Sequence, residues 1–137
     1  MRIVITLLIC YAVHDTIAQD YGVIKNQAKQ NDLPILLVFS GSDWCANCIR
    51  LKKVVFDDPN YSNVEKDHFL KYTADFPRVK KESPEYYKQN EKLAERFNPK
   101  GNFPFLVLLS HEEKVIRSYK GKFNNLAEFE AWLKIEK

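Results

Sequence analysis

Cysteine is scarce in this 137-residue chain. The three present are Cys10, Cys45 and Cys48, too few for the multi-disulfide framework that staples small secreted domains. Histidine is no more abundant, and His14, His68 and His111 are scattered, with no closely spaced pair. A structural zinc site wants four Cys or His ligands, so the ligand count speaks against zinc, and neither a metal nor another cofactor is expected. There is no internal repeat and no low-complexity segment. The net charge is a mild +3, and no basic stripe is interleaved with aromatics, so nucleic acid is not an expected partner. Against these absences stand 45% hydrophobic and 28% charged residues. That composition supplies one core and argues against wholesale disorder.

The chain opens with Arg2 and a nearly continuous apolar run from Ile3 to Val13. The run has the length of a signal-peptide core and is too short to span a bilayer. Ala18 then offers a small residue at a cleavage point. Removal of residues 1–18 is therefore expected. It would leave a single domain over 19–137, exported to a periplasm or secreted, with no membrane insertion after cleavage. A buried N-terminal strand is the competing reading. Cys10 lies inside this segment, but Ile9 before it does not suit a lipoprotein anchor. Once the segment is gone, only Cys45 and Cys48 remain.

Periodicity organises the rest. Tyr21, Ile24 and Ala28 follow helical spacing over 21–31, and Asn31-Asp32-Leu33-Pro34 breaks the helix. Ile35 to Phe39 is wholly apolar, as is Phe105 to Leu109, the pattern of strands covered on both faces. Cys45 to Phe56 reads as a helix with Cys48, Leu51 and Val55 on one face, and a short helical piece follows near Tyr61 to Glu65. Phe69 to Ala74 alternates, with Leu70, Tyr72 and Ala74 on one side. Ser83-Pro84 is a cap followed by a first-turn proline. The helix it opens carries Tyr86, Leu93, Ala94 and Phe97 as its expected buried stripe. His111 to Lys114 suits a hairpin turn, and Val115 to Tyr119 a half-exposed edge strand. Asn125 with Glu128 resembles a capping box for a last helix. The expected fold class is α/β, a central mixed sheet with a parallel centre, an antiparallel edge and flanking helices. Val38, Phe39, Leu106, Val107 and Leu108 are its expected core.

The chemistry concentrates in Trp44-Cys45-Ala46-Asn47-Cys48, where a strand hands over to a helix. Residues i and i+3 share a helix face, so the two sulfurs can meet. Cys45 would lie in the first turn, where unpaired N–H groups favour the thiolate, the species that attacks disulfides. Cys45 is therefore the expected nucleophile, the more exposed and more reactive of the two, and Cys48 the resolving partner. A static bond would close a loop of only about four residues and remove little chain entropy.

With Phe103-Pro104 opening the second apolar strand and Gly121 before the last helix, the chain resembles the thioredoxin superfamily over about residues 21–136. Phe39 to Cys45, Phe56-Asp57-Asp58-Pro59 and Ala74-Asp75 are most similar to exported bacterial members, including periplasmic disulfide reductases. The resemblance implies a thioredoxin fold and protein-disulfide oxidoreductase activity through Cys45 and Cys48. It implies that Trp44 shields the site, that Pro104 is a cis-proline beside it, and that Trp44, Phe103 and Pro104 meet substrate. The implied partners are protein or peptide disulfides and an electron-donor thiol protein, with a membrane-bound donor among the candidates. Two features depart from the pattern. Ala46-Asn47 stands where thioredoxin has Gly-Pro. The buried aspartate that helps deprotonate the resolving cysteine is matched, counting back without a gap, by Phe39. Asp43 is the nearest carboxylate in sequence and a candidate proton acceptor, or else a loop or cap residue. A peptide-binding module without redox turnover is the alternative function.

Overall fold

The computed structural model describes residues 19–134. The expected signal segment 1–18, with Cys10, lies outside the described residues. Asp20 begins the fold: its carboxylate accepts the Gly22 N–H at 2.7 Å and caps α1 (Tyr21–Asn31), satisfying a donor that a helix start leaves open. There follow β1 (Ile35–Ser40), α2 (Ala46–Leu51) running into a π-helical turn (Lys52–Phe56), α3 (Tyr61–Glu65), β2 (Leu70–Asp75) and α4 (Pro84–Phe97). A hairpin of β3 (Phe105–Leu109) and β4 (Val115–Lys120) and a last helix, α5 (Leu126–Leu133), complete the order. At α5 the Asn125 side chain accepts the Glu128 N–H, and Glu128 reaches back to the N–H of Asn124.

The strands form one sheet in the order β2-β1-β3-β4. β1 is parallel to β2, with Ser40 opposite Asp75, and antiparallel to β3, with Phe39 opposite Phe105. The sheet is mixed, as expected, but its centre is not a parallel pair of the two apolar strands. Those strands, β1 and β3, are antiparallel neighbours, and the parallel partner of β1 is the alternating β2. Continuous apolarity reports cover on both faces, and helices give that cover whatever the strand direction.

Pleating divides the core in two, because successive side chains leave a strand on opposite faces. Ile35, Leu37 and Phe39 join Ile24 and Ala28 of α1 and Leu93 of α4 on one side. Leu36 and Val38 join Leu51, Val55, Leu106, Leu108 and Phe129 on the other. The five expected core residues are all buried. The buried line of α4 runs through Tyr87, Asn90 and Leu93, while Tyr86, Ala94 and Phe97 sit partly buried beside it. Asn90 hid this line from an apolar pattern. It is fully buried, accepts the Tyr72 hydroxyl at 2.7 Å and donates to the Asp75 carbonyl at 3.0 Å. A buried amide satisfied at both ends needs no apolar replacement. The helix after the cysteines also differs from expectation. The Asp57 N–H bonds to the Lys52 carbonyl at 2.8 Å, widening the last turn by one residue.

Candidate active site

β1 delivers the chain to the site at its carboxyl end. The Cys45 N–H closes the following loop onto the Gly41 carbonyl at 2.9 Å. Cys45 is the N-cap of α2, with extended backbone (φ −93°, ψ 101°), and not a residue of the first turn. Its Sγ accepts the Cys48 N–H at 3.2 Å. The sulfur thus occupies the place that an oxygen usually takes at a helix start, one residue earlier than the sequence suggests. Cys45 and Cys48 are joined in a disulfide, with Cα atoms 5.2 Å apart. In this form they are nearly equally buried, at 6% and 4% exposed, so exposure does not separate them. Surroundings do. Cys45 Sγ takes the backbone N–H, whereas Cys48 lines a cavity of about 340 Å³ behind the helix.

Trp44 is 39% exposed beside Cys45. Its Nε1 donates to the Phe76 carbonyl at 2.7 Å, and its ring meets Phe103 edge-on at 5.4 Å. Phe103 also meets Phe76 at 5.6 Å, which gives a three-aromatic rim. Gly41 is required beneath it, since a Cβ there would lie 2.3 Å from a Trp44 ring carbon. The Phe103–Pro104 peptide bond is cis, and Pro104 is buried at the start of β3. The approach to it is shaped by Asn98, whose amide both accepts from the Asn102 N–H and donates to the Asn102 carbonyl at 2.9 Å.

Asp43, the candidate proton acceptor, is committed elsewhere. Its two oxygens accept the N–H groups of Arg78 and Val79, each at 2.9 Å. Those two hydrogen bonds, Val79's first, hold its carboxyl below the usual carboxylate range. The geometry makes Asp43 an anchor for the loop after β2. Its neighbour Ser42 does similar work: its N–H and hydroxyl donate to the two oxygens of Asp75 at 2.9 and 2.5 Å.

Phe39, the gap-free match to the buried aspartate, does not line the cavity beside Cys48. Pleating turns Phe39 into the core on the α1 side, whereas Val38 and Ser40 face the cavity that Cys48 lines. Lys71, Thr73 and Asp75 of β2 close that cavity. Lys71 was missed in the sequence. Removal from solvent pushes its ammonium below the ordinary lysine range, and it lies 4.4 Å over the Phe56 ring. No signal in the sequence separated it from a solvent-facing lysine, because the packing around the edge strand β2 is known only from the fold. Among the described residues no group of three or more His, Cys, Asp or Glu side chains could hold a metal ion. No helix among them is long and apolar enough to cross a membrane.

Comparison with known proteins agrees with this architecture. The model of the family described as thioredoxin-like domain matches residues 21–135. The thioredoxin-related protein DsbJ of Chlamydia pneumoniae is 30% identical over 106 residues, covering 77% of this chain and 30% of that protein. The disulfide bond reductase DsbH of the same organism is 29% identical over 96 residues, covering 70% of this chain and 57% of that protein. The chain therefore spans less than two thirds of the length of either relative. A solved structure of a DsbH oxidoreductase superposes with a TM-score of 0.78 at 24% identity, over 84% of this chain and 79% of that one.

Proposed function

Because the chain belongs to the thioredoxin-like domain family, we propose that it is a thiol–disulfide oxidoreductase that reduces protein disulfides through Cys45 and Cys48. The observation that carries this reading is the Cys45–Cys48 disulfide at a helix N-cap, with the Cys48 N–H on Cys45 Sγ. When that bond is reduced, the same N–H stabilises a Cys45 thiolate. The thiolate attacks one sulfur of a substrate disulfide. The substrate S–S bond breaks, one substrate thiolate leaves and takes a proton from water, and Cys45 holds the other half as a mixed disulfide. Cys48, on the cavity walled by Lys71 and Asp75, attacks Cys45 Sγ as its proton passes through water to the departing substrate sulfur. The second substrate thiol is released and the Cys45–Cys48 bond re-forms. Two electrons have passed from the dithiol to the substrate, and a donor thiol protein, membrane-bound or soluble, must return them.

Trp44, Phe103 and Pro104 form the surface against which the substrate chain lies, supported by the exposed indole and its packing on Phe103. Reduction as the direction is supported by the name of the relative DsbH, a disulfide bond reductase. Export, with cleavage before Gln19, is supported by Arg2, the apolar run and Ala18. It is checked by the intact mass of exported material, which should begin at Gln19; a retained Met1 in cytoplasmic protein would overturn it.

The activity test is reduction of insulin disulfides together with trapping by Cys48→Ser. Turnover by the native chain and accumulation of mixed disulfides on the variant are expected. No reduction and no trapped partner would leave the fold as a peptide-binding module.

A further inference from the structure

Arg78 to Glu82, in the loop between β2 and α4, reads in sequence as a polar, basic, solvated linker. Its backbone is not free. Near its start the Asp43 carboxylate takes the N–H groups of Arg78 and Val79. At its end the buried Tyr87 hydroxyl takes the N–H groups of Lys81 and Glu82, at 3.0 and 3.1 Å. Its root, Phe76, is held by the Trp44 indole and packs against Phe103. Two side chains therefore fix four of the five backbone donors from Arg78 to Glu82, and one of those side chains is two residues from Cys45.

What the loop presents is specific. Arg78, Val79, Lys80 and Lys81 are all exposed, and Val79 is the most exposed large apolar residue described, at 63%. Among the described residues, none of the three cations forms an ion pair. Asp43 and Asp75 are each occupied by hydrogen bonds to the loops, and the exposed Glu82 and Glu85 that follow the loop form no ion pair with it among the described residues. An ordered backbone fixes where these side chains start, so binding bears the cost of ordering the side chains but not that of ordering the loop. Unpaired charge at the rim of a binding site acts on partner choice and association rate.

We infer that the loop Arg78–Lys81 is a substrate-selecting surface that favours disulfides flanked by acidic polypeptide, with Arg78 and Lys81 meeting carboxylates and Val79 an apolar side chain between them. This rests on the disulfide-reducing activity proposed above and adds the class of substrate. Arg78 and Lys81 are placed here as specificity residues, since the exchange itself runs through Cys45 and Cys48.

The test uses the full chain, reduced and freed of reductant, in single turnover. Three probes are needed: two cystine peptides matched in length and apolar content, one with Asp and Glu beside the disulfide and one with Lys and Arg, and uncharged hydroxyethyl disulfide. Each protein's peptide rates are divided by its own rate on the uncharged probe. The acidic peptide is expected to react about tenfold faster than the basic one at low salt, with the gap closing as salt rises. Arg78→Glu with Lys81→Glu should abolish or invert the preference. The same charge change at the far end of the sheet, Lys29→Glu with Lys66→Glu, should largely preserve it. Equal rates on the two peptides, with hydroxyethyl disulfide still reduced, would overturn the selecting loop and leave the oxidoreductase intact. An equal loss of preference in both double variants would assign it to whole-molecule charge and also overturn the loop. Failure to reduce any of the three probes would overturn the oxidoreductase reading, and the selecting loop would fall with it.

Discussion

The two ends of the sheet are fastened by different chemistry. At the end opposite the cysteines, the turn between β3 and β4 is held by charge. Glu113 has left-handed backbone (φ 63°), a conformation that side chains rarely adopt. Its carboxylate is 9% exposed and gathers Lys25 at 2.6 Å, Arg96 at 3.3 Å and the Tyr21 hydroxyl at 3.0 Å. His111 Nδ1 lies 2.9 Å from Asp32 in the same region. Charges there answer one another and fasten the turn to α1 and α4. At the cysteine end, carboxylates answer backbone and hydroxyl donors instead: Asp43 those of Arg78 and Val79, Asp75 those of Ser42. Anchoring the loop by its backbone leaves Arg78 and Lys81 without an ion pair among the described residues, while Lys80 lies 5.0 Å over the Tyr87 ring. The same residue types thus close a surface at one end and keep one open at the other.

That contrast predicts a separation of chemistry from stability. Cys45→Ser should abolish turnover in insulin reduction. It should lower the unfolding free energy of the oxidised protein by no more than about 2 kcal/mol, the chain-entropy worth of so short a loop. A larger loss in urea unfolding would mean that the site end is structural as well. Leu106→Ala, in the layer that both ends share, should cost about 2–5 kcal/mol of unfolding free energy; a loss near zero would count against the sheet as a common frame.

Gly41→Ala sharpens the picture at the cysteine end. The new methyl needs space that the Trp44 ring occupies, and overpacking of this kind costs about 1–3 kcal/mol. A matching drop in kcat/KM on protein disulfides is expected, since the indole must leave Phe76 and Phe103. Wild-type kinetics in this variant would remove Trp44 from the substrate surface.

Glu113→Gln should do the reverse, costing about 1–2 kcal/mol at neutral pH, the lower part of the range for charged hydrogen bonds because Lys25 and Arg96 are half-exposed and screened. Insulin reduction should hardly change. Burial by itself would raise the Glu113 carboxyl, but Lys25, Tyr21 and Arg96 outweigh it and hold it below its ordinary value. Its contribution is thus complete above the usual carboxylate range and is lost as pH falls through the lowered value. The gap between wild type and variant in urea unfolding should narrow on acidification, and a gap that widens would contradict the ion cluster. The smallest effect is expected from Asp43→Asn, which should speed amide hydrogen exchange at Arg78 and Val79 without measurably moving the global transition. Unchanged exchange at both amides would show that the loop is ordered by something else.

Much of this was legible residue by residue. Ile35–Phe39 and Phe105–Leu109 announced themselves as covered strands, Ser83-Pro84 as a helix start, and Cys45 and Cys48 as a pair within bonding reach. Other features were not. The α4 stripe was read only in part, through Leu93, because a buried asparagine stands in it, and Asn90 is tolerated only because Tyr72 and the Asp75 carbonyl satisfy its amide. Asp43 looked like a proton acceptor because it is near the cysteines in sequence. Its partners lie 35 and 36 residues away.

By itself the sequence determined the element order, the apolar layers and the pairing of Cys45 with Cys48. All three follow from local spacing, a period near two for strands, 3.6 for helices and i, i+3 for the sulfurs. Only the tertiary structure decided strand direction, which apolarity does not encode. It alone decided that Val38 and Ser40, not Phe39, face Cys48, because a one-residue difference in pleat exchanges the two faces. And it alone turned Arg78–Lys81 from a charged linker into a fixed rim, because the hydrogen-bond partners of that loop, Asp43 and Tyr87, are brought to it by the packing of other elements.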